Sequence, residues 1–345
     1  MARCDTPGTG PDGPVRRVVV LGASGFIGRQ VSAAVRAAGG EPLLVARRPV
    51  ADATSRCIPL DLIGDGPDAL SRLLDTERPA AVVNAAGAVW SRTQETMQQA
   101  NHALVETVLA AIAAASWRPR LVHLGSVFEY APPAPGTPLD ERAPTRPTTP
   151  YGRSKLAGTQ AVLAASEAGR ADAVVLRLSN VIGAGTSPSS LLGQVAAQLR
   201  AADAGQEAVV RVSPLRASRD FVDVRDTADA VLAAASLPVG GQVINIGRGE
   251  AVPVRAMVER LIEASGRPTR IVEGAGAGVR TNTGLDWMQV ATGTARRLLG
   301  WSAQHSLDSS ARELWRATAP QTAPQTAPHA TAHTAPPARP SPAQH

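Results

Sequence analysis

Lysine is almost absent from this 345-residue chain: of its 35 lysine and arginine residues, all but Lys155 are arginine. A coding bias that writes arginine wherever a positive charge suffices leaves an amine where the chemistry calls for one. Aromatic residues make up only 3% against 44% apolar residues overall, so the interior is built from Ala, Val, Leu and Ile, which suits close packing of helices on a sheet. The two cysteines, Cys4 and Cys57, lie far apart in unlike contexts, which excludes a disulfide framework and a cysteine zinc site. No apolar run reaches the roughly 18 residues of a membrane span, and the opening MARCDTPGTGPDGP lacks an apolar signal core, so a cytoplasmic protein with no membrane partner is expected. The formal charge of +6 comes from scattered arginines, with no basic run interleaved with aromatics. Nucleic acid is therefore not an expected partner, whereas a small anionic substrate suits arginine, which grips phosphate bidentately.

The length exceeds that at which one core keeps growing, so a large unit with an appended lobe is expected. Residues 1–14, rich in Pro, Gly and Asp, and residues 317–345, which repeat Thr-Ala-Pro, cannot bury enough apolar area to offset their ordering entropy; both are expected to be disordered. Between them, uninterrupted apolar runs at 16–23, 42–47, 80–87, 120–126 and 173–179 read as strands covered on both faces, and alanine-rich stretches at 28–40, 101–116 and 154–169 read as helices. This alternation predicts an α/β fold, a Rossmann-type doubly wound parallel sheet. Residues 15–180, together with about 219–247, are assigned to it. Residues 181–218 and 248–316 are assigned to a smaller, discontinuous C-terminal substrate-binding lobe, with a cleft facing the carboxyl ends of the strands.

Gly22, Gly25 and Gly28 stand between the first strand and the first helix. The first permits a tight turn, the second lets backbone approach a pyrophosphate, and the third lets helix and strand pack closely. Ser24, Phe26 and Ile27 complete this candidate cofactor turn. The second strand ends in Arg47 and Arg48 where an NAD site usually shows a carboxylate for the ribose 2′-hydroxyl, so NADP(H) is favoured over NAD(H). Asp61, followed by Leu62, is a candidate acceptor for the adenine amino group.

Tyr151 and Lys155 are four residues apart at the start of a helix and share one face. A free tyrosine, with a pKa of about 10, is a poor acid-base catalyst at neutral pH; a nearby ammonium and a positive nicotinamide ring are expected to lower it. Lysine is also a flexible donor able to reach ribose hydroxyls. Ser126, at the carboxyl end of the strand at 120–126, is placed to share a substrate carbonyl oxygen with Tyr151.

Together the glycine turn, the NAAG at 84–87, Ser126 and the YGRSK at 151–155 resemble the extended short-chain dehydrogenase/reductases, in the branch acting on nucleotide sugars, over residues from about 16 to 316. The resemblance implies that Tyr151 is the general acid/base, that Lys155 holds the ribose and tunes Tyr151, and that Ser126 orients the sugar. It implies that Ala85, Ala86 and Gly87 line the cofactor and that Asn101 supports the site from its helix. Asn180 and Arg219 fall where this branch contacts the substrate diphosphate; Arg280 is a second phosphate candidate whose spacing departs from the usual pattern, and Trp301 corresponds to a packing residue. No metal is implied, and a homodimer is expected.

Sugar 4,6-dehydratases of this fold follow the active-site Ser/Thr with an acidic pair; Val127 and Phe128 stand here instead, leaving elimination without its proton carriers. The expected activity is NADPH-dependent reduction of a keto group of a nucleotide-activated deoxysugar, the 4-keto group of a dTDP-4-keto-6-deoxyhexose, as in the deoxysugar biosynthesis of antibiotics. The alternatives are an NAD-dependent nucleotide-sugar 4-epimerase and, from another class, a non-catalytic NADP-binding sensor.

Overall fold

The computed structural model describes residues 17–48, 55–88, 93–203, 205–274 and 286–319; Arg280 and nearly all of both expected tails lie outside them. The chain runs β1 (Arg17–Leu21), α1 (Phe26–Ala37), β2 (Glu41–Ala46), β3 (Cys57–Pro59), α2 (Gly66–Glu77), β4 (Ala81–Asn84), α3 (Gln94–Gln98), α4 (Leu104–Ala114), β5 (Arg120–Ser126), α5 (Pro150–Glu167) and β6 (Ala173–Leu178). It continues through β7 (Asn180–Ile182), α6 (Leu191–Ala201), β8 (Ala208–Val212), β9 (Ser218–Arg219), β10 (Phe221–Asp223), α7 (Val224–Ser236), β11 (Val243–Ile246), β12 (Val252–Pro253), α8 (Val254–Ser265), β13 (Thr269–Glu273), α9 (Gly293–Leu299) and α10 (Leu307–Ala317).

Seven strands form one parallel sheet in the order β11-β6-β5-β4-β1-β2-β3. Its two faces are legible in β1 alone. Val18 and Val20 enter one core with α1 and α7, while Val19 and Leu21 enter the other with α2, α4 and α5. Side chains alternate along a strand, so a continuous apolar run implies cover on both faces. This is the doubly wound Rossmann-type arrangement.

Sequence pattern missed β3, a three-residue edge strand too short to show a period, and α2, whose Gly-Pro start masks it. Helix α5 begins earlier than its alanine-rich run, because Thr149 accepts a hydrogen bond from the Gly152 N–H at 3.0 Å and Pro150 takes the first turn. Asp223 likewise caps α7, so the stretch 220–236, whose sequence reads as one helix, starts instead with the short strand β10. Between α3 and α4 a π-helical turn at Gln99–Ala103 takes the start of the helix expected at 101–116 and carries Asn101.

After β6 a third core gathers α6, α8, α10 and the β8–β13 pair. Within residues 248–316, read from sequence as wholly in the lobe, Ala295, Leu299 and Trp301 pack instead into the α1–α7 face of the main sheet. The Trp301 indole donates to the Asp226 carbonyl at 2.9 Å, a packing role for its ring. Residues 317–319 end the last helix and lie inside the described chain.

Candidate active site

The carboxyl ends of β1, β4, β5 and β6 open on a cavity of about 660 Å³. On one side it is bounded by Phe26 and Ile27, which follow the glycine turn. Gly22 has φ +74° and donates its N–H to the Val45 carbonyl; a Cβ there would lie 2.7 Å from Ala86 backbone. At Gly28 a Cβ would lie 2.3 Å from the Gly22 carbonyl oxygen. No side chain caps α1, so its first amides are turned toward the turn without a protein acceptor of that kind. These are the features a dinucleotide pyrophosphate needs: a cradle a Cβ would fill, and helix amides facing an anion. Phe26, Ile27, Ala85, Ala86 and Gly87 line the cavity, and the residues present fit a nicotinamide dinucleotide.

Other cofactor candidates lie off the cavity wall. Arg47 and Arg48 are exposed just beyond β2, next to the strand end that meets Gly22. Asp61 is exposed and accepts from the Ile63 N–H at 3.2 Å, opening the turn into α2. The Leu62 side chain is buried in the core that α2 and α4 share.

Ser126 ends β5 and its side chain is hydrogen-bonded to that of Tyr151, so the two hydroxyls converge on one point of the cavity. Tyr151 sits half-buried in the first turn of α5, its ring edge-on to Phe128 with centroids 6.1 Å apart. Lys155, one turn on, is 6% exposed and donates from Nζ to the Leu124 carbonyl at 2.6 Å. Burial depresses the ammonium to about 8, opposed by the Glu129 charge. The expected depression of the tyrosine is not met here. Burial pushes the Tyr151 phenol up to about 12, against the Ser126 hydrogen bond, and the Glu129 charge raises it further. Burial and the Glu129 charge thus outweigh the Ser126 hydrogen bond at the phenol.

Asn101 lines the cavity, but its side chain is engaged: it bridges the Ala88 N–H and carbonyl and donates to the Ser154 hydroxyl, each at 3.0 Å. Ser154 in turn donates to the Tyr151 carbonyl at 2.9 Å, so Asn101 ties the π turn and the 87–88 loop to α5.

At the far end of the cavity lie Asn180 and Arg219. Asn180 donates to the Asp220 carbonyl at 3.0 Å, which holds β7 to the segment carrying Arg219. Arg219 is 5% exposed, its guanidinium donating to the Ser218 carbonyl at 2.9 Å. Sequence reasoning missed Phe128 and Phe221, although rarity marks them: the chain has three phenylalanines, and all three line this cavity. It also missed Ser187 and Ser190; Ser190 caps α6 beside the cavity, and the Ser/Thr-rich stretch there was the available signal.

Among the described residues no group of three His, Cys, Asp or Glu stands together as a metal site, and no helix is long and apolar enough to cross a membrane.

Comparison with known proteins places this geometry. A dTDP-6-deoxy-L-talose 4-dehydrogenase (NAD(P)(+)) from Kitasatospora kifunensis is 47% identical over 316 residues, 90% of this chain and 99% of the relative. The structure of RMD from Pseudomonas aeruginosa complexed with NADPH matches with a TM-score of 0.75 at 26% identity, covering 88% of this chain and 97% of the other. MoeE5 in complex with UDP-glucose and NAD matches with a TM-score of 0.73 at 26% identity, covering 88% and 98%. The model of the NAD dependent epimerase/dehydratase family matches residues 18–247. With its glycine cradle, its Ser126–Tyr151 pair and these relatives, the chain belongs to the NAD dependent epimerase/dehydratase family, within the extended short-chain dehydrogenase/reductases.

Proposed function

We propose that this enzyme reduces the 4-keto group of a dTDP-4-keto-6-deoxyhexose with NADPH. The observation that carries the reading is the convergence of Ser126, Tyr151 and Lys155 in one cavity, between the glycine cradle and the buried Arg219. The Kitasatospora relative is named for dehydrogenation at position 4 of a dTDP-6-deoxysugar. Oxidation of a C4 hydroxyl and reduction of the resulting ketone are one reaction in two directions.

When bound, reduced nicotinamide supplies a hydride to the carbonyl carbon. Tyr151 then donates its phenolic proton to the forming alkoxide, and Ser126 holds the same oxygen by a hydrogen bond, so charge does not accumulate on it. A phenol held up at about 12 keeps its proton at neutral pH, so the proton that reduction consumes is in place at Tyr151. Lys155 supplies an amine near the ribose side of the cavity, and Gly22, Gly25 and the first turn of α1 hold the pyrophosphate. Asn180 and Arg219 face the diphosphate of the substrate, where a largely desolvated guanidinium forms strong charge-assisted hydrogen bonds.

Arg47 and Arg48 are assigned to the 2′-phosphate of NADPH. Replacing both with serine is expected to raise the KM for NADPH roughly ten- to hundredfold, a loss of about 1.4–2.7 kcal/mol for the exposed pair together, with little change for NADH. Steady-state titration with each cofactor measures this. Identification of the cofactor released on denaturing the purified protein tests the reading itself. Exchangeable NADPH supports reduction, whereas retained NAD with no preference for NADPH makes the enzyme a 4-epimerase.

A further inference from the structure

Beneath Ser126 lies a buried ion pair that the reaction as described does not use. β5 ends at Ser126 and turns through a short 3₁₀ segment, Val127–Glu129. Glu129 is fully buried; its carboxylate folds back to accept from the Ser126 N–H at 2.7 Å and from the Arg177 guanidinium at 2.8 Å. In return the Ser126 hydroxyl accepts from the Phe128 N–H at 3.3 Å. Arg177 stands on β6 directly opposite Gly125, and a Cβ at Gly125 would lie 2.8 Å from the Glu129 carboxylate, so the glycine keeps the path across the strand open. The Arg177 guanidinium lies 4.6 Å from the centre of the Tyr130 ring, whose hydroxyl donates to Asn245 on β11 at 2.8 Å. The turn bearing Ser126 is thus tied to two further strands.

A buried pair of this kind is poor value as a stabiliser, since an apolar pair of similar volume often serves as well. We propose that Glu129 is a positioning residue for the reaction, with Arg177 as its anchor: the pair fixes the turn that aims the Ser126 hydroxyl at Tyr151 and keeps a negative charge beneath Tyr151 and Lys155. The inference rests on the proposed ketoreduction for its catalytic consequence.

The charged and titratable groups around the carboxylate are Arg177 from β6, Lys155 and Tyr151 from α5 and Tyr130 from its own turn, with Lys155 acting in turn on His123 from β5, and Glu141 on Tyr130. The Glu129 charge raises both Lys155 and Tyr151. Removing it therefore lets both lose their protons at lower pH.

The sequence supplies the probe, because it contains one lysine and two tyrosines. Protein labelled with carbon-13 at lysine Cε gives a single side-chain resonance, that of Lys155, whose midpoint reports the charge beneath it without substrate. Glu129→Gln is expected to lower this midpoint by about one pH unit. Turnover is expected to fall roughly 10- to 100-fold with NADPH affinity kept within about twofold, the pattern of a displaced catalytic group. Because Glu129→Gln leaves Arg177 unpaired and can unfold the chain, the double variant Glu129→Leu/Arg177→Met restores packing without charge. It is expected to fold and bind NADPH, yet to keep both the turnover loss and the lowered lysine midpoint. A folded double variant with wild-type turnover, or with an unshifted midpoint, overturns the proposal. If the wild-type enzyme itself reduces no nucleotide ketosugar, the ketoreductase reading fails, and the lysine midpoint alone then decides whether Glu129 sets the charge of this site.

Discussion

Tyr151→Phe is expected to lower turnover by about 10²- to 10⁴-fold while leaving NADPH binding within a factor of about two. The substitution removes one oxygen and keeps the ring, so the edge contact with Phe128 survives. What is lost is the proton delivered to the forming alkoxide and the hydrogen bond with Ser126. Ser126 alone still offers a donor, which leaves a residual rate. Stopped-flow or steady-state turnover, paired with cofactor titration by fluorescence, separates the two effects. Burial holds Tyr151 near 12 and Lys155 near 8, so the free enzyme loses charge at Lys155 first as pH rises. Reductive kcat/KM is accordingly expected to stay level through neutral pH and to fall as pH passes about 8.

Lys155→Arg keeps the positive charge and is expected to lower activity on the order of 10²-fold or more. The ammonium is almost wholly enclosed between α5 and β5, where it donates to the Leu124 carbonyl at 2.6 Å. A guanidinium is longer, planar and larger, and its fork does not match a single carbonyl plus ribose hydroxyls in that space. The exposed neighbour Arg153, on the same helix, supplies the control: Arg153→Lys is expected to leave turnover within about twofold, as surface substitutions usually do. A charge-only role for Lys155 would make the two exchanges equally mild.

The elements that position the site were legible because they are local. β1, the glycine turn and α1 follow one another within about 20 residues, and Tyr151 and Lys155 share one helical turn. Rarity sharpened them: Lys155 is the one lysine among 35 lysine and arginine residues. What stayed hidden depends on contacts between distant segments. Glu129 and Arg177 are 48 residues apart, and only the register of β5 against β6 brings them together. Phe221 reaches the cavity only because β10 pairs with β7. The burial that pushes the Tyr151 phenol up, and the Glu129 charge that raises it further, were hidden for the same reason. Arg47 and Arg48 stand in the middle case: their place at the end of β2 was readable, whereas their exposure belongs to the fold.

The most direct measurement mixes the purified enzyme with a dTDP-4-keto-6-deoxyhexose and NADPH, following loss of NADPH absorbance and the mass of the sugar nucleotide. The expected result is consumption of one NADPH per sugar, a product heavier by two hydrogens, and turnover slowed about 10²- to 10⁴-fold with Tyr151→Phe. Recovery of the sugar as an isomer of unchanged mass, or no reaction while NADPH binds, would contradict it.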